Sequence, residues 1–180
     1  VELLYAVSAD TDVTVELKNT DTDYTNELVG NRSRSLDNAD REVFVGVEWQ
    51  ATGRTSGFAK IGHSNKDFDT TFRTDSSTVN WEAGVEWQPR TYSTVTLSTS
   101  RDEEETTGIG NFIDTVSYGV SWNHAWNEQV TSDIGYSLRQ EEYVGSLQDD
   151  DTNSLSAKLT YAYDRWLDIG LGVEYTDKSS

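Results

Sequence analysis

The chain has 180 residues, 34% of them hydrophobic, and a formal net charge of -18. Such acidity disfavours nucleic-acid binding, which relies on Lys and Arg to neutralise phosphates, and the absence of cysteine excludes disulfides, thiolate zinc sites and thiol nucleophiles. Low hydrophobicity with high charge would ordinarily mean disorder, but six Trp, nine Tyr and five Phe mark an ordered, strand-rich chain.

In chain order, "VELLYAV" reads as a strand, "SADTD" at 8 to 12 as a turn and "VTVEL" as the returning strand. A polar stretch at 19 to 41 leads to a second hairpin about "QATGRTS", and another at 64 to 78 leads to a third about "QPRTYS". Further polar stretches at 101 to 114 and 140 to 153 precede hairpins about "NHAWNEQ" and "YDRW". The prediction is ten strands in five hairpins, with short and long connections alternating. A repeat runs through them as "VGVEWQ" at 45, "AGVEWQP" at 83, "YGVSWNHAW" at 118 and "AKLTYAYDRW" at 157, the spacing of a repeated supersecondary unit.

Period-2 alternation gives each strand two chemically different faces. One face is uncharged, as in Val1, Leu3, Tyr5 and Val7 or Val79, Trp81, Ala83, Val85 and Trp87. The other carries Glu2, Glu16, Lys18, Glu48, Lys60, Glu82, Glu86, Asp133, Arg139, Lys158, Asp168 and Glu174 among glycines. Aromatics gather where strands meet short turns, at Trp49, Trp87, Trp122, Trp126, Tyr161, Tyr163 and Trp166.

A soluble sandwich would hide the apolar face, whereas a transmembrane barrel turns it to lipid and keeps a polar lumen. The aromatic clusters suit a membrane interface, the meander of short and long connections suits an outer-membrane barrel, and the mid-strand charges are better housed in a wet channel than in a core. The fold expected is an all-β, antiparallel up-and-down transmembrane β-barrel, with residues 1 to 180 forming one segment. The chain ends at "EYTDKSS", just past a strand, so further closing strands are expected and ten is a lower bound. No stretch of about 18 apolar residues offers a transmembrane helix. No charged n-region followed by an apolar h-region opens the chain, so any signal peptide is expected to be removed or to lie upstream.

The stretches "GVEWQPRTYSTVTLSTSRDEE" and "WLDIGLGVEYTDKSS" resemble the porin-like outer-membrane barrels encoded with exopolysaccharide and capsule biosynthesis systems of Gram-negative bacteria. The resemblance implies an outer-membrane location and a part in passing polysaccharide to the cell surface. It assigns no functional residue.

The charged face is the expected lumen, with acids exceeding bases about two to one, a balance that favours cations and uncharged or basic saccharides; lumen hydration alone is the competing reading. Phe44 and Phe58 share this face and could stack on sugars or simply fill space. The acidic runs "DTD", "KDFD", "RDEEE" and "DDD" are expected in solvated loops, with divalent-ion bridging to lipopolysaccharide as the alternative. His63 and His124 fall at opposite ends of the strands with no nucleophile marked, so no catalytic residue, metal or cofactor is assigned. The function expected is a non-enzymatic conduit or accessory for exopolysaccharide export; a general diffusion porin and an acidic surface β-protein remain alternatives. Partners expected are outer-membrane lipid and lipopolysaccharide, polysaccharide and export-machinery proteins, and no nucleic acid.

Overall fold

The structure is a computed structural model that describes residues 1–23, 37–68, 75–105 and 112–180. The ten strands among the described residues are β1 (Glu2–Ser8), β2 (Thr11–Thr22), β3 (Asn38–Thr52), β4 (Thr55–Phe68), β5 (Ser76–Arg90), β6 (Ser93–Glu105), β7 (Phe112–Ala125), β8 (Val130–Val144), β9 (Asp149–Asp164) and β10 (Leu167–Ser179). They form one antiparallel sheet in sequence order, so every strand pairs with its chain neighbours and no connection crosses over. β1 and β10 are the edges, and the sheet is an open wall.

The wall is inside out by the standard of a water-soluble protein. Among the described residues the buried hydrophobic side chains are Phe68 and Phe112, while the most deeply buried are Thr14, Ser64, Lys66, Asn80 and Thr115. Val45, Ile61, Leu97, Leu159 and Leu171 stand exposed on the face opposite Thr14, Ser64, Lys66, Asn80 and Thr115. Contiguous exposed apolar surface on this scale requires an apolar surround, and a closed barrel satisfies the backbone groups that lipid cannot.

Strand pairing fixes how the wall tilts. The row through Thr11, at the start of β2, passes through Trp49, Gly57, Val85, Leu97, Val120, Tyr136 and Leu155 to Tyr175. Tyr175 lies eight residues beyond Leu167, the first residue of β10, after eight strand-to-strand steps. The turn end therefore slips by one residue per strand. With about 3.3 Å per residue and 4.8 Å between strands, that stagger is a tilt of about 35°, within the range of outer-membrane barrels.

The strands run further than their apolar patterning predicts. "RDEEE" lies in β6, "DDD" opens β9 and Lys66–Phe68 end β4, so these acidic runs are strand extensions instead of loops. The connection expected over 140 to 153 shrinks to residues 145–148, where Gly145 adopts φ 89°. Beyond the lipid both faces of a strand meet water, so alternation fades while backbone pairing continues. "DTD" at 21 to 23 runs off the end of β2, which closes at Thr22, while Asp69 of "KDFD" and most of the stretch 19 to 41 lie outside the described residues.

Candidate functional site

The inner face is built by strand parity. Asp12, Glu48, Phe58, Gly84 and Ser98 stand side by side on β2 to β6. Glu82 and Glu86 flank Gly84 along β5. Together with Asp10 these carboxylates surround a cleft of about 680 Å³ that has Phe58, Ser56, Ser98 and Ser100 in its lining and no Lys or Arg. A Cβ on Gly84 would come within 2.7 Å of the Phe58 ring, so the absent side chain is the seat on which that ring lies. Phe44 occupies the space above Gly62 in the same way, and the Lys60 stem lies over Gly46. Aromatic cover of a strand glycine restores packing that glycine itself cannot supply.

Lys60 reaches back to Glu16 at 3.5 Å and Glu2 at 3.9 Å, although its direct cross-strand neighbour is Glu82. Lys18 pairs with Glu42 at 2.9 Å. Nearer the outer end, Arg139 meets Glu104 at 2.7 Å and Glu141 at 3.0 Å, and Lys178 meets Asp150 at 2.9 Å and Glu141 at 3.8 Å. The hydrogen bond from Lys178 holds the Asp150 carboxyl down at about 2 and raises the lysine in turn. Asp133 accepts a hydrogen bond from Asn123 and faces Lys158 across the register. Asp168 and Glu174 lie exposed on the inner parity of β10 opposite Ala162 and Ser156. The inner wall thus has two electrostatic zones, an acid-only cleft near the short turns and a mixed ion network near the outer end.

Asp12, Asp40, Glu42, Glu141 and Lys178 were not assigned to the charged face from the sequence, and Lys66, Glu104 and Asp150 fell in runs expected to be loops. Each continues the inner parity of its strand, and following that parity past the apolar band would have found them.

On the outer face the aromatics form a level only when the stagger is taken into account. Trp49, Trp87 and Tyr161 lie zero, two and six residues from the Thr11 row towards the short turns, on strands one, three and seven steps along. Each therefore sits at one height in the tilted wall. Trp126 and Tyr163 are two residues closer to the turns and Trp122 two further in, with Trp166 in the last turn. Trp122 Nε1 donates to Ser93 at 2.9 Å, and His124 packs among Tyr92, Trp122 and Trp126 with ring centroids 4.5 to 5.4 Å apart.

The opposite limit is equally level. Asn19, His63 and Arg101 lie eight, six and four residues on the far side of the Thr11 row, at zero, two and four steps. Seven residues separate this polar level from Trp49, Trp87 and Tyr161. Along strands tilted by about 35° that distance is about 20 Å, which side-chain reach at both limits extends towards the ~25 Å lipid-facing band of outer-membrane barrels. His63 bonds to Ser77 at one limit and His124 lies at the other, so the two imidazoles share no site.

Residues 2–180 match the family described as "Putative beta-barrel porin 2". The chain belongs to that family. This porin is placed in the outer membrane of a Gram-negative bacterium, where its exposed apolar band meets lipid. Among solved structures it is similar to the FrpB iron transporter of Neisseria meningitidis in its F5-1 variant apoprotein form, with a TM-score of 0.72 and 11% identity over 98% of this chain and 35% of that one. The F3-3 variant gives 0.71 at 10% identity, over 98% and 34%. OmpT, an outer membrane protein of Vibrio cholerae, gives 0.53 at 12% identity, over 95% and 68%. These likenesses are of fold. The porin chain spans about a third of the length of the FrpB chains. No curated protein matches it.

Proposed function

We propose that this porin is a passive, non-enzymatic conduit for hydrophilic solutes that prefers cations and uncharged sugars, and that its cargo is exopolysaccharide on its way to the cell surface. The observation that carries the reading is the inner cleft: five carboxylates, no basic residue and a Phe58 ring seated over Gly84. Carboxylates at a water-filled wall raise the local concentration of cations and repel anions. They also accept hydrogen bonds from sugar hydroxyls, and the Phe58 ring offers an apolar face beside them. Glu16, Glu48, Glu82, Glu86, Asp133, Asp168 and Glu174, with Lys18, Lys60, Arg139 and Lys158, line the lumen in this reading. Trp49, Trp87, Trp122, Trp126, Tyr161, Tyr163 and Trp166 form its periplasmic girdle. Lipid and lipopolysaccharide surround the wall, and export-machinery proteins deliver the polymer. The polysaccharide assignment rests on the sequence resemblance, and a general diffusion porin uses the same wall.

The test is conductance of the full-length protein in planar bilayers under a salt gradient, with and without a purified neutral exopolysaccharide. Cation-selective current that the polymer blocks supports the conduit. Cation-selective current indifferent to the polymer leaves the diffusion porin, and anion selectivity overturns the lumen assignment.

A further inference from the structure

Pairing between β5 and β6 stops early. It runs from Arg90–Ser93 up to Trp81–Arg101 and no further. Its neighbours continue: β4 pairs with β5 to Lys66–Ser76, β6 with β7 to Glu105–Phe112, β3 with β4 to Asn38–Phe68 and β7 with β8 to Phe112–Val144. The break begins at the level of Arg101, the outer limit of the apolar band, beyond which water can satisfy unpaired backbone groups and lipid no longer forces closure. Beyond that limit the wall is two plates, β2–β5 and β6–β10, joined at their base.

Arg101 marks the base. It lies 5.6 Å over the Trp81 ring and forks onto Asp114 at 2.6 and 3.0 Å. Above it, the side-chain hydrogen bonds that cross the gap among the described residues converge on one atom: Glu103 Oε1 accepts from Ser76 Oγ at 2.6 Å and from Thr78 Oγ1. The closed seam leaves groups unsatisfied. Glu103 Oε2 and both amide atoms of Asn80 are buried with no protein hydrogen-bond partner, and Asn80 is only 1% exposed. Parting the plates would hydrate these groups, so the latch bonds favour closure and the stranded groups favour opening.

We propose that β5 and β6 form a seam above the membrane, hinged at Trp81 and Arg101 and latched by Glu103, whose opening and closing changes the width of the outer mouth. The two states are alternative satisfactions of the same polar groups, which makes the element bistable.

These 180 residues contain no cysteine, so paired labels can be placed cleanly within them once any cysteine elsewhere in the full-length protein is replaced by serine. Spin labels at Ser77→Cys and Asp102→Cys report the seam in the full-length protein reconstituted in lipid, and a pair at Ala39→Cys and Asp67→Cys reports the continuous β3–β4 ladder as control. Glu103→Ala is expected to broaden the seam distances towards longer values and leave the control narrow. Asn80→Leu removes the stranded amide and is expected to shift the seam the other way, towards a single short distance. Unchanged seam distances in Glu103→Ala, equal broadening of both pairs, or the same direction of change in the two variants would each overturn the latch.

Discussion

Leu97 offers the sharpest test of which face meets lipid. It lies on the Thr11 row four strands from β2, midway between the aromatic level and the level of Asn19, His63 and Arg101, and it is half exposed. Leu97→Arg therefore places a guanidinium near the bilayer midplane, which in barrel proteins costs about 2–4 kcal/mol. At about 1.4 kcal/mol per tenfold, the folding equilibrium falls by roughly 30- to 1,000-fold. Thr96→Arg, the adjacent residue, points inward with Glu86 directly across the ladder, and no such penalty applies. Val79→Arg, at the outer limit, is expected to cost only about 0–1 kcal/mol. Urea titrations of the full-length protein in lipid vesicles, followed by tryptophan fluorescence, give all three values. Equal costs for Leu97→Arg and Thr96→Arg would refute the face assignment. A Leu97→Arg effect within about 0.5 kcal/mol would indicate that Leu97 meets water, as on a soluble surface.

Gly62→Ala pushes a methyl into the Phe44 ring and is expected to destabilise by about 1–3 kcal/mol; adding Phe44→Leu should return much of the loss, read as coupling in a double-mutant cycle. Replacing Glu48, Glu82 and Glu86 together by Gln is expected to lower the cation-to-anion permeability ratio about fivefold, since three screened charges act on both ions with opposite sign; reversal potentials in a salt gradient measure it. The Asp150–Lys178 pair gives a signed pH effect at the outer end. The folded carboxyl titrates at about 2 against an ordinary 3.8, so its stabilisation is present above about pH 4 and disappears as pH falls through 2. Amide exchange across β8 to β10 should rise over that interval, and Asp150→Asn should abolish the dependence.

Much of this wall was legible in the residues because its strands have one lipid face and one water face. Val79 to Trp87 alternate so regularly that parity alone separates Glu82 and Glu86 from Val85. The same logic explains the misses. Past Arg101 and Asp150 both faces meet water, alternation carries no information, and strands pass for loops; Arg139 was named from the sequence, but Glu104, Glu141 and Lys178, which complete its network, were lost with them. The sequence shows only that glycines share the charged face; Gly62 and Gly84 serve as seats for Phe44 and Phe58, a role visible only once register sets the two residues opposite each other. The β5–β6 seam left no mark in composition, because it depends on where pairing stops.

The slip of one residue per strand also bears on how such walls grow. A hairpin adds two strands and advances the pattern by two residues, and each hairpin after the first carries its own turn-end aromatics, such as Trp49, Trp87, Trp122 or Tyr161. Whole hairpins could thus be duplicated or lost while every remaining ring kept its height. A single inserted residue within the band would instead turn the rest of its strand to the opposite face. Modular change in units of the 35 to 39 residue repeat is the route this geometry leaves open.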